Sequence, residues 1–153
     1  MQNRREIREV VLKAIYATEF SGESTDEIMM KILRPPFQST EKTSLEFAEK
    51  LYLKTLKIKE EANALISTYL QNWELERLAS IDRIALHMGI AELLFFDDIP
   101  TKVTINEYIE IAKKYSTFKS GKFVNGILDS VLQQLKQEQK IKKTGRGLIE
   151  NKI

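Results

Sequence analysis

Cysteine is absent from the 153 residues, which excludes disulfides, a thiolate nucleophile and thiolate metal ligands together. The single histidine, His87, is too few for a multi-histidine metal cluster. Proline occurs three times, and two of these are the adjacent Pro35-Pro36, so long stretches escape the residue that breaks helices. Long apolar runs are missing as well. Nothing approaches the roughly 20 apolar residues that a transmembrane helix needs, and Met1 to Arg8 is too polar to open a signal peptide. The expectation is a cytoplasmic protein with no cofactor, no metal site and no membrane contact. What is present is ordinary: 42% hydrophobic and 30% charged residues suit a chain that buries a core, and the length suits one domain or two small subdomains.

A net charge of +2 is too small to identify a polyanionic partner, so placement matters more than the sum. Arg4, Arg5 and Arg8 crowd the start of the chain. Lys136, Lys140, Lys142, Lys143, Arg146 and Lys152 crowd its end, where Glu138 and Glu150 oppose them. A polyanion is therefore expected at the chain ends rather than over the whole surface.

The apolar spacing is helical almost throughout. Ile7, Val11, Ala14, Ile15 and Thr18 recur at three- and four-residue intervals and define one buried face, with Arg4, Arg5 and Arg8 read onto the opposite side. Ser21-Gly22 ends that helix, and Ser24 or Thr25 caps a second that Pro35-Pro36 stops. A long helical stretch then runs from Leu45 to Leu70, interrupted at Gln71-Asn72, after which Trp73, Leu75, Leu78 and Ile81 open another element. Ile84, Ala85, Met88, Ala91, Leu94 and Phe95 form a strongly apolar helix, placed at the centre of the core. Asp97-Asp98-Ile99-Pro100 is a turn. Two more helices follow, one burying Val103, Ile105, Tyr108, Ile109 and Ala112, the other Phe123, Val124, Ile127, Leu128, Val131, Leu132 and Leu135. Past Gln139 the periodicity stops, and residues 140–153 read as a basic tail without structure. No alternating run supports a sheet, so the fold class is all-α, a bundle of six or seven helices over residues 1–139.

Motifs of catalysis are weak. Ser120-Gly121-Lys122 has the ending of a phosphate-binding loop, but Ser116 and Phe123 stand where that motif requires a glycine and a hydroxyl, and no strand precedes. Asp97 and Asp98 fit a turn better than acid–base chemistry. Glu107 and Glu110, beside Lys113 and Lys114, fit an exposed ion-paired face. No nucleophile, base and orienting group assemble, so catalytic residues are expected to be none. The arginines are more informative, because guanidinium forks match phosphates and stack on bases. Lys113, Lys114, Lys119 and Lys122 surround a connector containing Tyr115, Phe118 and Phe123. Basic residues interleaved with aromatics suit single-stranded RNA, whose bases stack while its phosphates are neutralised.

Four blocks carry a resemblance to a known family. They are Arg8-Glu9 with Ala14-Ile15-Tyr16, then Leu78 to Leu86 with Glu92-Leu93, then Ile99-Pro100 through Ala112-Lys113, and finally Lys122 to Asp129. In this order they resemble the NusB transcription antitermination factors, over Arg4 to about Leu135. The resemblance implies a NusB-like fold of about seven helices in two packed helical subdomains, without catalysis. It also implies partners: NusE, a small-subunit ribosomal protein, and the single-stranded boxA element of nascent ribosomal RNA, in an antitermination complex with RNA polymerase. A homodimer is a further option. By position, the resemblance assigns Arg4, Arg5, Arg8, Lys102, Tyr115, Lys119, Lys122 and Phe123 to RNA. It assigns Tyr16, Phe20, Glu76, Arg77 and Asp82 to the partner protein. Glu6 dilutes the arginine run, and Lys119 stands where relatives can carry an acid. The alternative is an RNA-docking module like the one preceding the catalytic domain of some RNA cytosine methyltransferases, but no Rossmann-type glycine loop or catalytic cysteine follows here.

Overall fold

Seven α-helices and no strand are found among residues 3–71 and 74–152, the part of the chain that the computed structural model describes. Trp73 lies outside those residues. The chain divides into two compact units, Met1–Lys57 and Ile58–Ile153.

The first unit is built on α1 (Arg4–Ser21), α2 (Thr25–Ile28) and α3 (Lys42–Lys57). Asn3 and Glu6 form a reciprocal capping box at the start of α1: the Asn3 side chain accepts from the Glu6 N–H at 2.9 Å, and the Glu6 carboxylate accepts from the Asn3 N–H. Gly22 closes the helix with φ +75°, a left-handed turn that favours glycine. Ser24 and Glu27 repeat the capping box for α2, which runs on as a π-helical turn, Met29–Leu33, before the proline pair. The buried face of α1, Ile7, Val11, Leu12, Ala14 and Ile15, packs against Phe47, Ala48, Leu51 and Tyr52 of α3. Tyr52 bonds its phenol to Thr18 at 2.6 Å, and burial raises its pKa above the ordinary 10.0 despite that bond.

The second unit holds α4 (Lys59–Thr68), a 3₁₀ turn (Leu75–Arg77), α5 (Ser80–Phe95), α6 (Thr101–Tyr115) and α7 (Ser120–Gln137). The expected long helix over 45–70 is thus two helices that meet at Ile58. Thr55 returns its hydroxyl to the Leu51 carbonyl just upstream, a bond that bends helices; nothing else in the local sequence marks the break. α5 is central, as its apolar run foretold: every residue from Ile84 to Leu93 is buried, and α4, α6 and α7 pack around it. Gly89 permits that closeness, because a Cβ there would stand 3.0 Å from both Leu128 methyl carbons. Gly126, by contrast, faces open space, so it is not a packing glycine. The polar side chains of Glu92 and His87 are built into this core. Glu92 is fully buried and accepts hydrogen bonds from the Thr104 hydroxyl, at 3.1 Å, and the Tyr108 phenol. His87 is buried with Nε2 2.6 Å from the Asn63 side-chain oxygen.

The basic tail departs from expectation. Lys143 donates to the Phe96 carbonyl at 2.7 Å, placing an ammonium on the negative end of α5. The Thr144 N–H reaches the Asp97 carbonyl at 3.0 Å, and a 3₁₀ helix follows over Gly145–Lys152. A Cβ on Gly147 would overlap the Asp97 carbonyl, so only glycine lets the backbones approach this closely. A segment read as unstructured on its composition is held here by the Lys143 and Thr144 hydrogen bonds and by the close approach at Gly147.

Candidate nucleic-acid interface

The connector between α6 and α7 is short, hydroxyl-rich and tied down. Thr117 accepts from the Ser120 N–H at 3.2 Å, Ser120 accepts in return from the Thr117 N–H, and the Ser120 hydroxyl reaches Ser116. This network fixes the loop while leaving its middle outward. Phe118 is 81% exposed, the most exposed of the large apolar side chains among the described residues. Lys113 reaches it from α6, with Nζ 5.3 Å from the ring centroid. Gly121 makes that reach possible. A Cβ at Gly121 would lie 2.7 Å from the Lys113 Cγ and Cδ, so the lysine stem crosses where a side chain is missing. Lys114 stands 5.2 Å from the Tyr115 ring, and Lys119 and Lys122 are exposed on either side of the α7 start. The exposed Phe118 ring and the half-buried Tyr115 ring, with ammonium groups beside them, offer stacking faces and phosphate counter-charges within one turn of chain.

Phe123 is half-buried and belongs to a different feature, a groove of about 350 Å³ that it lines with Arg77, Leu78, Ala79 and Asp82. Residues that the resemblance divided between RNA and partner protein therefore share one groove. Lys102 sits apart from both. It lies in the first turn of α6, beside a polar groove of about 390 Å³ with Asn106, Asn125 and Lys136. At 1.5 Å per residue it is about 20 Å from Tyr115 along the helix. Glu76 and Arg77 are exposed on the 3₁₀ turn, and Asp82 lies in the first turn of α5.

The remaining candidates are in the first unit. Arg4 is exposed, with its guanidinium 4.2 Å from the Phe47 ring centroid, and Arg5 is exposed. Arg8 is not where the charge pattern put it. It is 2% exposed, on the buried face of α1, with its guanidinium 5.6 Å from the same ring. Its spacing explains this: Arg8 stands three, four and seven residues before Val11, Leu12 and Ile15, which are the buried stripe itself. Tyr16 and Phe20, one turn apart, are 44% and 55% exposed and pack as a tilted pair with centroids 4.6 Å apart. Among the described residues no group of three or more histidine, aspartate or glutamate side chains is placed to hold a metal, and no helix is long and apolar enough to cross a membrane.

Residues 5–133, which include every one of these candidates except Arg4, match the model of the NusB family. The chain belongs to the NusB family. The transcription antitermination protein NusB of Salinibacter ruber (strain DSM 13855 / M31) is 44% identical over 149 residues, covering 97% of this chain and 92% of its own. That of Methylacidiphilum infernorum (isolate V4) is 42% identical, covering 87% and 92%. Among solved structures, T. maritima NusB superposes with a TM-score of 0.78 at 40% identity, covering 87% of this chain and 92% of that one. A second neighbour is a complex of antitermination factors NusB and NusE with double-stranded RNA, with a TM-score of 0.75 at 27% identity and coverage of 86% and 96%. The four sequence blocks thus pointed to the right family.

Within this NusB-family chain, Phe118 is the residue that position-by-position assignment left out. Its signal was local: an aromatic side chain in a polar connector between two helices has no core to enter.

Proposed function

We propose that this protein is an RNA-binding adaptor in transcription antitermination. With NusE it binds the single-stranded boxA element of nascent ribosomal RNA transcripts and helps RNA polymerase resist termination, in the cytoplasm and without catalysis. The observation that carries the reading is the fixed α6–α7 connector, where Phe118 and Tyr115 stand beside Lys113 and Lys114 in a chain of the NusB family. The relative solved with NusE holds double-stranded RNA. The exposed Phe118 ring adds a reason to favour a single strand, because only unpaired bases have faces free to stack.

Arg4, Arg5, Lys102, Lys119 and Lys122 hold phosphates in this reading, and Tyr115, Phe118 and Phe123 stack on bases. Arg8, being buried, acts by packing α1 against Phe47 rather than by touching RNA. The exposed Tyr16–Phe20 pair, with Glu76, Arg77 and Asp82, contributes to the NusE surface, and a homodimer covering the arginine helix competes with RNA. The test is transcription in vitro through a terminator placed downstream of boxA, with the other antitermination factors present. Adding this protein raises read-through on the boxA template and leaves a template with scrambled boxA unchanged. Equal read-through on both templates defeats the reading.

A further inference from the structure

One face of α7 carries no apolar side chain. Lys122, Gly126, Asp129, Gln133 and Lys136 follow one another at steps of four, three, four and three residues, so they lie on one side of the helix, and all are exposed. That face begins at the α6–α7 connector and runs about 21 Å at 1.5 Å per residue. Its far half borders the polar groove of about 390 Å³, where Lys102 and Asn106 of α6 meet Asn125, Asp129, Gln133 and Lys136 of α7. The first turn of α6 has no side-chain cap, so the positive end of the helix dipole adds to the Lys102 ammonium there. Lys122 and Lys136 form no ion pair among the described residues. Gly126 is the informative residue. Glycine inside a helix costs stability relative to alanine, and a Cβ at this one would meet nothing within 4 Å, so packing does not require it. Close approach of a ligand is the remaining use of a bare backbone.

We propose that the outer face of α7 is a track for the RNA strand leaving the connector, which passes over Gly126 to the groove where Lys102 and Lys136 hold its phosphates. Cations stand at both ends of the track, and side-chain amides that donate to phosphates or base edges lie between them. Asp129 is the one acid of the face and repels the strand at its middle. A stacked strand advances about 3.4 Å per phosphate, so the face takes about six nucleotides. The competing occupant, an acidic segment of a partner protein, is less well matched, because nothing brings it to the face, whereas a strand seated at the connector is already at its start. The inference rests on the RNA-binding reading above. It adds Lys136 to that reading and a path by which one strand reaches Lys102 from the distant connector.

The experiment is fluorescence anisotropy with the full chain and two labelled oligouridylates, of about four and about twelve nucleotides, over a series of salt concentrations. The shorter probe occupies the connector alone, and the longer one also fills the track. Lys102→Gln combined with Lys136→Gln lowers the salt slope of the longer probe by about 1.4, about 0.7 for each phosphate released, and leaves the shorter probe unchanged. Asp129→Asn strengthens binding of the longer probe by roughly 1.5- to 5-fold, the range of one exposed charge pair, a gain that no loss of folding produces. Gly126→Gln, a better helix former, raises the melting temperature yet weakens the longer probe. An unchanged slope in the double lysine variant overturns the track but leaves RNA binding at the connector standing. So does a longer probe indifferent to Asp129→Asn or to Gly126→Gln. An equal fall for both probes shows a general field rather than a path and overturns it too. Loss of NusE binding by the lysine variant with RNA binding intact gives the face to a partner protein and overturns it as well. No binding of either probe by the wild type removes the track and the RNA-binding reading together.

Discussion

Replacing Phe118 by alanine separates RNA contact from folding more cleanly than any other substitution in the connector. The ring is 81% exposed, so only about one-fifth of it is removed from water on folding. Full burial of a phenylalanine side chain is worth about 1.5–3 kcal/mol, which makes the share forfeited here about 0.3–0.6 kcal/mol. The exposed contact with the Lys113 ammonium adds about 0.5 kcal/mol. A loss near 1 kcal/mol lowers the melting temperature of a chain this size by about 2–4 °C. Base stacking on an aromatic ring is worth about 1–3 kcal/mol per base, or roughly 5- to 150-fold in affinity. Equilibrium anisotropy with boxA RNA at fixed salt, alongside a thermal melt, reads both quantities. Phe118→Ala should weaken binding at least about fivefold with a nearly unchanged melt, and Phe118→Trp should keep the affinity. Wild-type affinity in Phe118→Ala refutes the stacking role of the connector.

The other predictions concern charge, core and tail. Replacing Arg4 and Arg5 by glutamine should leave the fold intact and reduce the salt slope of single-stranded RNA binding by about 0.7 for each phosphate that is no longer neutralised. Arg8→Gln should instead destabilise by about 2 kcal/mol in urea titration, because the guanidinium no longer packs on Phe47; a stable Arg8→Gln that fails to bind RNA would reverse that division. Glu92→Ala removes the acceptor of two buried hydroxyls, Thr104 and Tyr108, and should cost about 2–5 kcal/mol by chemical unfolding, against under about 1 kcal/mol if the cluster is unimportant. Gly147→Ala forces the tail off the Asp97 carbonyl, so hydrogen exchange at Thr144 should accelerate while exchange in α5 stays slow. Unchanged exchange at Thr144 would mean that the tail is not anchored there.

The helices and their punctuation were legible because the signals are local. The capping residues Asn3 and Ser24, the proline pair and the dense apolar run of α5 each act within a few residues of themselves. Arg8 was legible too, but its charge was given more weight than its position. A guanidinium at the spacing of Leu12 and Ile15 belongs to their face, and its long stem and planar head pack on an aromatic ring. The tail misled in the opposite way. Residues 140–153 read as a tail without structure on their composition, whereas Gly147 serves a close backbone approach that depends on a carbonyl about fifty residues earlier. Distance in the chain also hid the groove. Phe123 and Asp82 lie on different helices, and no periodicity within either announces that they line one cavity. The same limit applies to Phe118 and Lys113, whose meeting depends on the missing side chain of Gly121.

The central claim is that the protein recognises boxA RNA jointly with NusE. The most direct measurement is the affinity for labelled boxA RNA and for a scrambled RNA of the same composition, with and without NusE, at one salt concentration. The expected result is a preference for boxA over the scrambled strand that grows when NusE is added. Equal affinity for the two RNAs in both conditions would contradict it.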